Sequence, residues 1–277
     1  MGVFTLTPID PSTDFDAIVP MMFEVFAGEG YVQSLCGEPT AENITRSISD
    51  MKQALENDPT IKWLKIVDQE TGDLVSVAQW FIRPNFVRPQ GEVVIKCWPE
   101  GSKEQADAKK VIENVHERKW RHVKEGHICL NMMFTNPSYQ HQGAGRLMLQ
   151  WGCTLADHLF LPAWIEASAM GQLLYSKFGF RVVEDAKISQ GRFYSEYGLM
   201  VRPRKVGVLQ GLRKMVMVKV GLEGEAVEAG EKGRGSASGA AGSVAVMKQQ
   251  QGENRKDVAE VVVLENEIVP EVVSAVV

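Results

Sequence analysis

The chain has 277 residues, 44% hydrophobic and 23% charged, a composition ordinary for a soluble protein built as one compact domain with an appendage. Its net charge is −5 at pH 7, and the ten acids and five bases from Gly221 onward account for all of it, so the preceding residues balance near zero. A neutral domain with an acidic tail lacks the basic footprint of a nucleic-acid binder, and no nucleic-acid partner is expected.

In chain order, a strand at Phe4 to Pro8 leads into a helix over Phe15 to Ala27, where Ile18, Met21, Met22 and Val25 form an apolar stripe. A second helix is predicted over Thr40 to Glu56, with Gly28 to Cys36 read as the connecting loop. Strand signals return at Trp63 to Val67 and Leu74 to Ile82, separated by the turn-like Glu70-Thr71-Gly72. The long segment from Arg83 to Gly126 follows. Its second half, Glu104 to Glu125, is a charged helix candidate carrying Val111, Val115 and Val123. Glu113, His116 and Glu117 share one face of it, which reads as a solvated salt-bridging surface ahead of a metal site.

Ile128 to Phe134 is an apolar run of strand length, and Ala144, Leu147, Met148, Trp151, Leu155 and Leu159 then recur at helical spacing. Between them lies NPSYQHQGAGRLM, starting at Asn136. Gly143 and Gly145 therefore sit where a strand turns into a helix. A helix start offers unpaired N–H donors and a positive dipole end, and glycines let phosphate oxygens approach them. The loop does not match a Rossmann fingerprint, because Met148 stands where the third glycine belongs and an acid for the ribose is found only if Glu166 is forced into that role. A P-loop is excluded by the missing glycine-lysine-serine/threonine ending.

The constellation from Ile128 to Phe180 instead resembles the GNAT superfamily of acetyltransferases. Gln140, Gly143 and Gly145 meet its first signature, and IEASAMGQLLYSKFGF from Ile165 is similar to its second, of strand, short helix, leucine-tyrosine and glycine-phenylalanine. The likeness is sharp over about a fifth of the chain and looser over Phe4 to Arg202. It implies an α/β fold of the acyl-CoA N-acyltransferase type: a mixed, mostly antiparallel sheet flanked by helices, with a parallel pair, Ile128 to Phe134 and Ala163 to Ser168, that splays apart.

By the same resemblance the cosubstrate is acetyl-CoA, with no metal. Met133, Phe134 and Thr135 would meet the pantetheine arm, and His141, Gln142, Gly143, Ala144, Gly145 and Arg146 the pyrophosphate. Strand N–H groups freed by the splay would polarise the thioester carbonyl. Tyr175 matches the general acid; its alternative role is a core aromatic beside a helix cap at Gly179. The base is less defined. The matching positions on the fourth strand are Cys129 and Asn131, of which Cys129 reads as a buried hydrophobe and Asn131 as a group that orients substrate or water. Glu166 is the alternative carboxylate, with strand pairing or capping as its other role, and bulk water would need no residue at all. Ser168 stands at a cofactor-arm position and also reads as the N-cap of the helix from Met170.

The expected organisation is an acetyltransferase domain over 1–203 with an insertion at 83–126 that shapes or covers the acceptor site as a lid, a basic linker over 204–220, and a low-complexity, disordered acidic tail over 221–277. Phe26, Tyr31 and Cys36 are candidate pocket walls. The expected activity is acetyl transfer to a small primary amine by direct attack in a ternary complex. The alternatives are a protein acceptor and a non-catalytic acyl-CoA-binding module. Cysteines 36, 97, 129 and 153 have no paired short spacing, so neither a zinc site nor a disulfide framework is expected. The opening residues lack a secretory layout, Leu6 breaks a myristoylation pattern, and no uncharged apolar run reaches membrane-spanning length. A cytoplasmic location without stable membrane insertion is expected, the nucleus remaining open.

Overall fold

The structure is a computed structural model that describes residues 3–89 and 92–205. These lie within the first of two compact units, Met1–Leu222. The predictions for 206–277 fall outside the described residues. Of the basic segment, Arg204 pairs with Glu125, and Lys205 Nζ lies 2.6 Å from Asp157.

Seven strands form one sheet in the order β1-β2-β3-β4-β5-β7-β6. They are β1 (Phe4–Pro8), β2 (Ile61–Asp68), β3 (Leu74–Arg83), β4 (His127–Thr135), β5 (Ala163–Ala167), β6 (Arg181–Gln190) and β7 (Phe193–Arg202). Among the described residues only β4 and β5 pair in parallel; every other neighbour is antiparallel. The β2–β3 hairpin closes at Gly72, whose φ of +79° suits glycine and whose N–H donates to Asp68 O at 2.8 Å.

The helices are α1 (Phe15–Val25), α2 (Gly30–Cys36), α3 (Ala41–Asn57), α4 (Lys103–His122), α5 (Ala144–His158) and α6 (Ala169–Ser176). Side-chain alternation sorts them into layers. Ala163, Ile165 and Ala167 of β5 pack with Met148, Leu149, Leu174 and Tyr175 of α5 and α6, whereas Trp164 packs with Val111, Ile112 and Val115 of α4. On the α4 side of the sheet, α1 covers Trp63, Val77 and Phe134 through Ile18 and Met22. The sheet is thus sandwiched between α5 with α6 and the remaining helices.

One sequence expectation is corrected. The stretch read as a loop from Gly28 to Cys36 contains α2. Gly28, with φ of +84°, does serve a turn, but Gly30 serves packing: a Cβ there would lie 2.2 Å from Tyr194 O, so this helix seats directly on the β7 backbone. The segment expected to shape or cover the acceptor site packs on the sheet through its helix. Its helix α4 starts at an N-cap, Ser102, whose Oγ accepts from Gln105 N at 3.1 Å, and buries Ala108, Val111, Ile112, Val115 and Trp120. Its polar side is tied to β6, with Arg118 Nη1 2.6 Å from Glu184 Oε1 and His122 Nε2 2.8 Å from Glu184 Oε2.

Candidate functional site

β4 and β5 pair only at Ile128↔Ala163, Cys129↔Trp164 and Leu130↔Ile165. Beyond these positions both strands continue without pairing each other, which opens a wedge. Against β3 the register slips in the same place: Trp80 faces Leu130, but Gln79 faces Met132, so Asn131 is the extra residue of a bulge. The bulge reverses the alternation. Ile128, Leu130 and Met133 face α5, while Met132 and Phe134 face α1. Asn131 itself is exposed, its amide donating to Gln79 Oε1 at 2.6 Å.

At the far end of β4, a 3-10 turn, Pro137–Tyr139, leads to the start of α5. His141 and Gly143 both have positive φ, +62° and +97°, and Gly143 caps α5 without a side-chain bond. The backbone N–H groups of His141, Gln142, Gly143, Ala144, Gly145 and Arg146 have no acceptor among the described residues; the first amide bonded back is Leu147, to Gly143 O at 3.2 Å. Consecutive free amides at a helix start in left-handed turns form an anion cradle. The two glycines differ in purpose. Space around Gly143 is open, so its φ is the reason for glycine, whereas a Cβ on Gly145 would lie 3.1 Å from Leu174 Cδ2 and 3.7 Å from Met133 Cε. Arg146 is exposed and carries no ion pair among the described residues.

Tyr175 of α6 is buried against Phe180, with ring centroids 6.0 Å apart. Its hydroxyl has no protein partner among the described residues, yet it is not one of the sealed, unpartnered polar atoms, so it keeps access to solvent. Burial alone raises its pKa above the ordinary tyrosine value. Ser168 Oγ accepts from Gly171 N at 3.2 Å and so serves as the α6 N-cap.

On the opposite face of β5, Glu166 meets a residue that the sequence reading passed over. Lys119 of α4, buried, places Nζ 3.1 Å from Glu166 Oε1, 3.3 Å from Oε2 and 3.1 Å from Cys129 Sγ. The hydrogen bond goes to Oε2; Oε1 is in ion-pair range but misaligned, and has no hydrogen-bond partner. Burial disfavours the Lys119 ammonium, but Cys129 and Glu166 outweigh it and its pKa is raised. Because burial also raises the Cys129 thiol, Glu166 is the neighbour that supplies the negative charge at neutral pH.

No family model matches the chain. Among curated proteins, it is 28% identical over 79 residues to a probable acyltransferase, SID5, of Ajellomyces capsulatus; the match covers 28% of this chain and 54% of that protein. The chain thus spans about half the length of that relative. Among solved structures, it is similar to a protein described as histone acetyltransferase HPA2 and related acetyltransferase from Corynebacterium glutamicum, with TM-score 0.51, 20% identity, and coverage of 75% of this chain and 99% of that one. It is also similar to the C-terminal condensation domain of Ebony in complex with beta-alanyl-dopamine, with TM-score 0.55, 13% identity, and coverage of 73% and 99%.

The fold is that of the GNAT acetyltransferases.

On this GNAT fold, the structure gathers the predicted cradle residues at one helix start and sets Met133 beside Gly145. It separates the proposed catalytic groups. Tyr175 packs on the α5 side of β5, and Glu166, one position from Ile165, points to the α4 side, already engaged by Lys119. Phe134 turns away from the cradle to meet Phe26 edge-on at 5.6 Å, and Thr135 Oγ1 bonds Ser76 Oγ at 3.0 Å. Of the candidate pocket walls, Tyr31 is electrostatically coupled to Glu166 and Lys119, while Cys36 is buried in the α1 cluster. Lys119 was legible in principle. It continues the buried stripe Val111, Val115 at i+4, the position that a helical period assigns to the core.

A shallow groove of about 620 Å³ between α1 and the end of β4, lined by Glu24, Asp73, Asn136 and Tyr139 among others, contains none of the wedge residues. Among the described residues no group of three metal-ligating side chains converges, and no helix is long and apolar enough to cross a membrane.

Proposed function

We propose that the protein is an acetyl-CoA-dependent N-acetyltransferase acting on a small primary amine. The observation that carries this reading is one arrangement: six consecutive unpaired amides at the head of α5, beside a wedge that opens immediately after Leu130 and Ile165. The residues fit a thioester carrier. The cradle and Arg146 suit its diphosphate, Gly145 leaves room between Leu174 and Met133, and the unpaired β4 edge offers amide partners to its pantetheine arm. When bound, the carrier supplies an acetyl group on sulfur, activated toward an amine.

The chain's own groups would do the rest. Free N–H groups of β4 past the bulge would polarise the acetyl carbonyl. Tyr175, protonated and unpartnered, would hold the proton that the departing sulfur takes up. The amine would enter neutral from the α4 side, form the C–N bond as the C–S bond breaks, and lose its own proton to water near the exposed Asn131, and Tyr175 would regain from water the proton it gave to sulfur. Glu166 on β5, the carboxylate beside the wedge, is held by Lys119 and so is not free to serve as the base.

A small acceptor is favoured because side chains of α2 and α4 pack together with Trp164 of β5 on the face from which the amine would enter. The similar Ebony domain is in complex with beta-alanyl-dopamine. The test is thiol release from acetyl-CoA across small amines and lysine peptides, with Tyr175→Phe as control. Release with amines that collapses in Tyr175→Phe is the expected result. Coenzyme A binding by calorimetry without release for any acceptor would favour a non-catalytic module.

A further inference from the structure

Lys119 and Glu166 are the charged groups at the crotch of the wedge. Glu166 is the first residue beyond the last β4–β5 pair, on the face opposite the helices that carry the cradle, so an amine attacking from that face passes it. Lys119 and Glu166 side chains are 9% and 19% exposed, and Glu166 Oε1 has no hydrogen-bond donor. The titratable groups around them are Tyr31 from α2, His116 from α4, Cys129 and His127 from β4 and Tyr197 from β7. Each is uncharged at neutral pH, since burial raises both tyrosines and the thiol and lowers both histidines. The next charges are already paired, Arg118 with Glu184 and Arg83 with Asp58. The Tyr197 hydroxyl and Trp164 Nε1, both buried, also lack partners among the described residues.

We propose that Lys119 and Glu166 form a charge-balanced floor of the acceptor pocket that selects amines with an uncharged body over diamines and over amino acids. This rests on the acetyltransferase reading and assigns the α4 insertion a role in specificity. A second ammonium entering the wedge would lose its hydration and meet a carboxylate already neutralised by Lys119, with no net attraction in return. A carboxylate on the acceptor would face the mirror image, an ammonium already neutralised by Glu166.

The balance makes opposite predictions for its two halves. Lys119→Met exposes the carboxylate and should raise kcat/KM for diaminobutane relative to butylamine by about tenfold. Glu166→Gln exposes the ammonium and should raise aminobutanoate relative to butylamine by about the same factor. The double variant should return to the wild-type order, butylamine first. Calorimetry of the three amines with the coenzyme A complex should show the same reordering in affinity. A merely structural salt bridge would lower all three substrates together, and unchanged ratios in both single variants would overturn the proposal. If the single variants fail to fold, the order in the wild type and in the uncharged double variant decides it. A wild type that prefers diaminobutane or aminobutanoate, or a double variant that departs from the wild-type order, sinks the idea. Thiol release with unchanged ratios removes only this inference, whereas no release with any amine removes the acetyltransferase reading beneath it.

Discussion

The two sides of the strand wedge are built by opposite means. The cradle side comes from one contiguous stretch, in which a turn, two positive-φ residues and a helix start leave consecutive amides unpaired. The proposed acceptor side draws single residues from α2, α4, β4, β5 and β7, brought together only by packing. An anion can be recognised by backbone alone, so its site needs short-range sequence. A small amine with no fixed charge pattern must be recognised by side chains, and these can come from anywhere in the fold. The first kind of site constrains sequence tightly; the second lets an inserted helix reset the specificity.

The largest effect expected from disturbing this contrast is on Tyr175, which packs on the cradle side of β5. Tyr175→Phe should lower kcat by about a hundredfold or more while leaving coenzyme A affinity nearly unchanged, as read by thiol release and calorimetry. Loss of both together would place the hydroxyl in structure instead of chemistry. Next comes the acceptor wall. Gly30→Ala drives a Cβ to 2.2 Å from a backbone oxygen, which cannot yield as a side chain end would. Destabilisation of about 3 kcal/mol is expected in denaturant titration. On the cradle side, Gly145→Val keeps the backbone but crowds Leu174 and Met133. It should raise the KM for acetyl-CoA about tenfold and leave the amine KM alone. A variant that moved both constants equally would deny the separation of the two sides.

The same contrast explains what could be read from the chain alone. The strand before the cradle, α5 and the glycine pattern were legible because each depends on near neighbours: the period of 3.6, the unpaired helix start, the absent Cβ. α2 was missed because Gly28 and Gly30 look like loop punctuation, while Gly30 is there for a close approach to Tyr194 some way along the chain. The fate of Glu166 was invisible for the same reason. Alternation puts it on a face, but only the tertiary fold brings Lys119 across to it, and a lysine in a charged helix reads as solvated until its place in the Val111–Val115 stripe is counted. The bulge at Asn131 is a further case. Strict alternation pairs Cys129 with Asn131 on one face, and the extra residue undoes that.

The smallest predicted effect, in the pH profile, bears on both sides at once, since tyrosines line each. Tyr175 on the cradle side and Tyr31 and Tyr197 on the acceptor side are all raised by burial, Tyr197 to about 12. A raised phenol keeps its proton where a free one, at about 10, would lose it. Activity toward an alkylamine should therefore climb with pH as the amine loses its proton, with no descending limb near the ordinary tyrosine value. Because the folded pKa lies above the unfolded one, these groups contribute stability below about pH 10, and that contribution is lost as pH rises through the folded values. Any fall in rate should follow loss of structure by circular dichroism. A descending limb centred near 10 with the fold still intact would mean that one of these hydroxyls titrates freely and that the wedge admits bulk water around it.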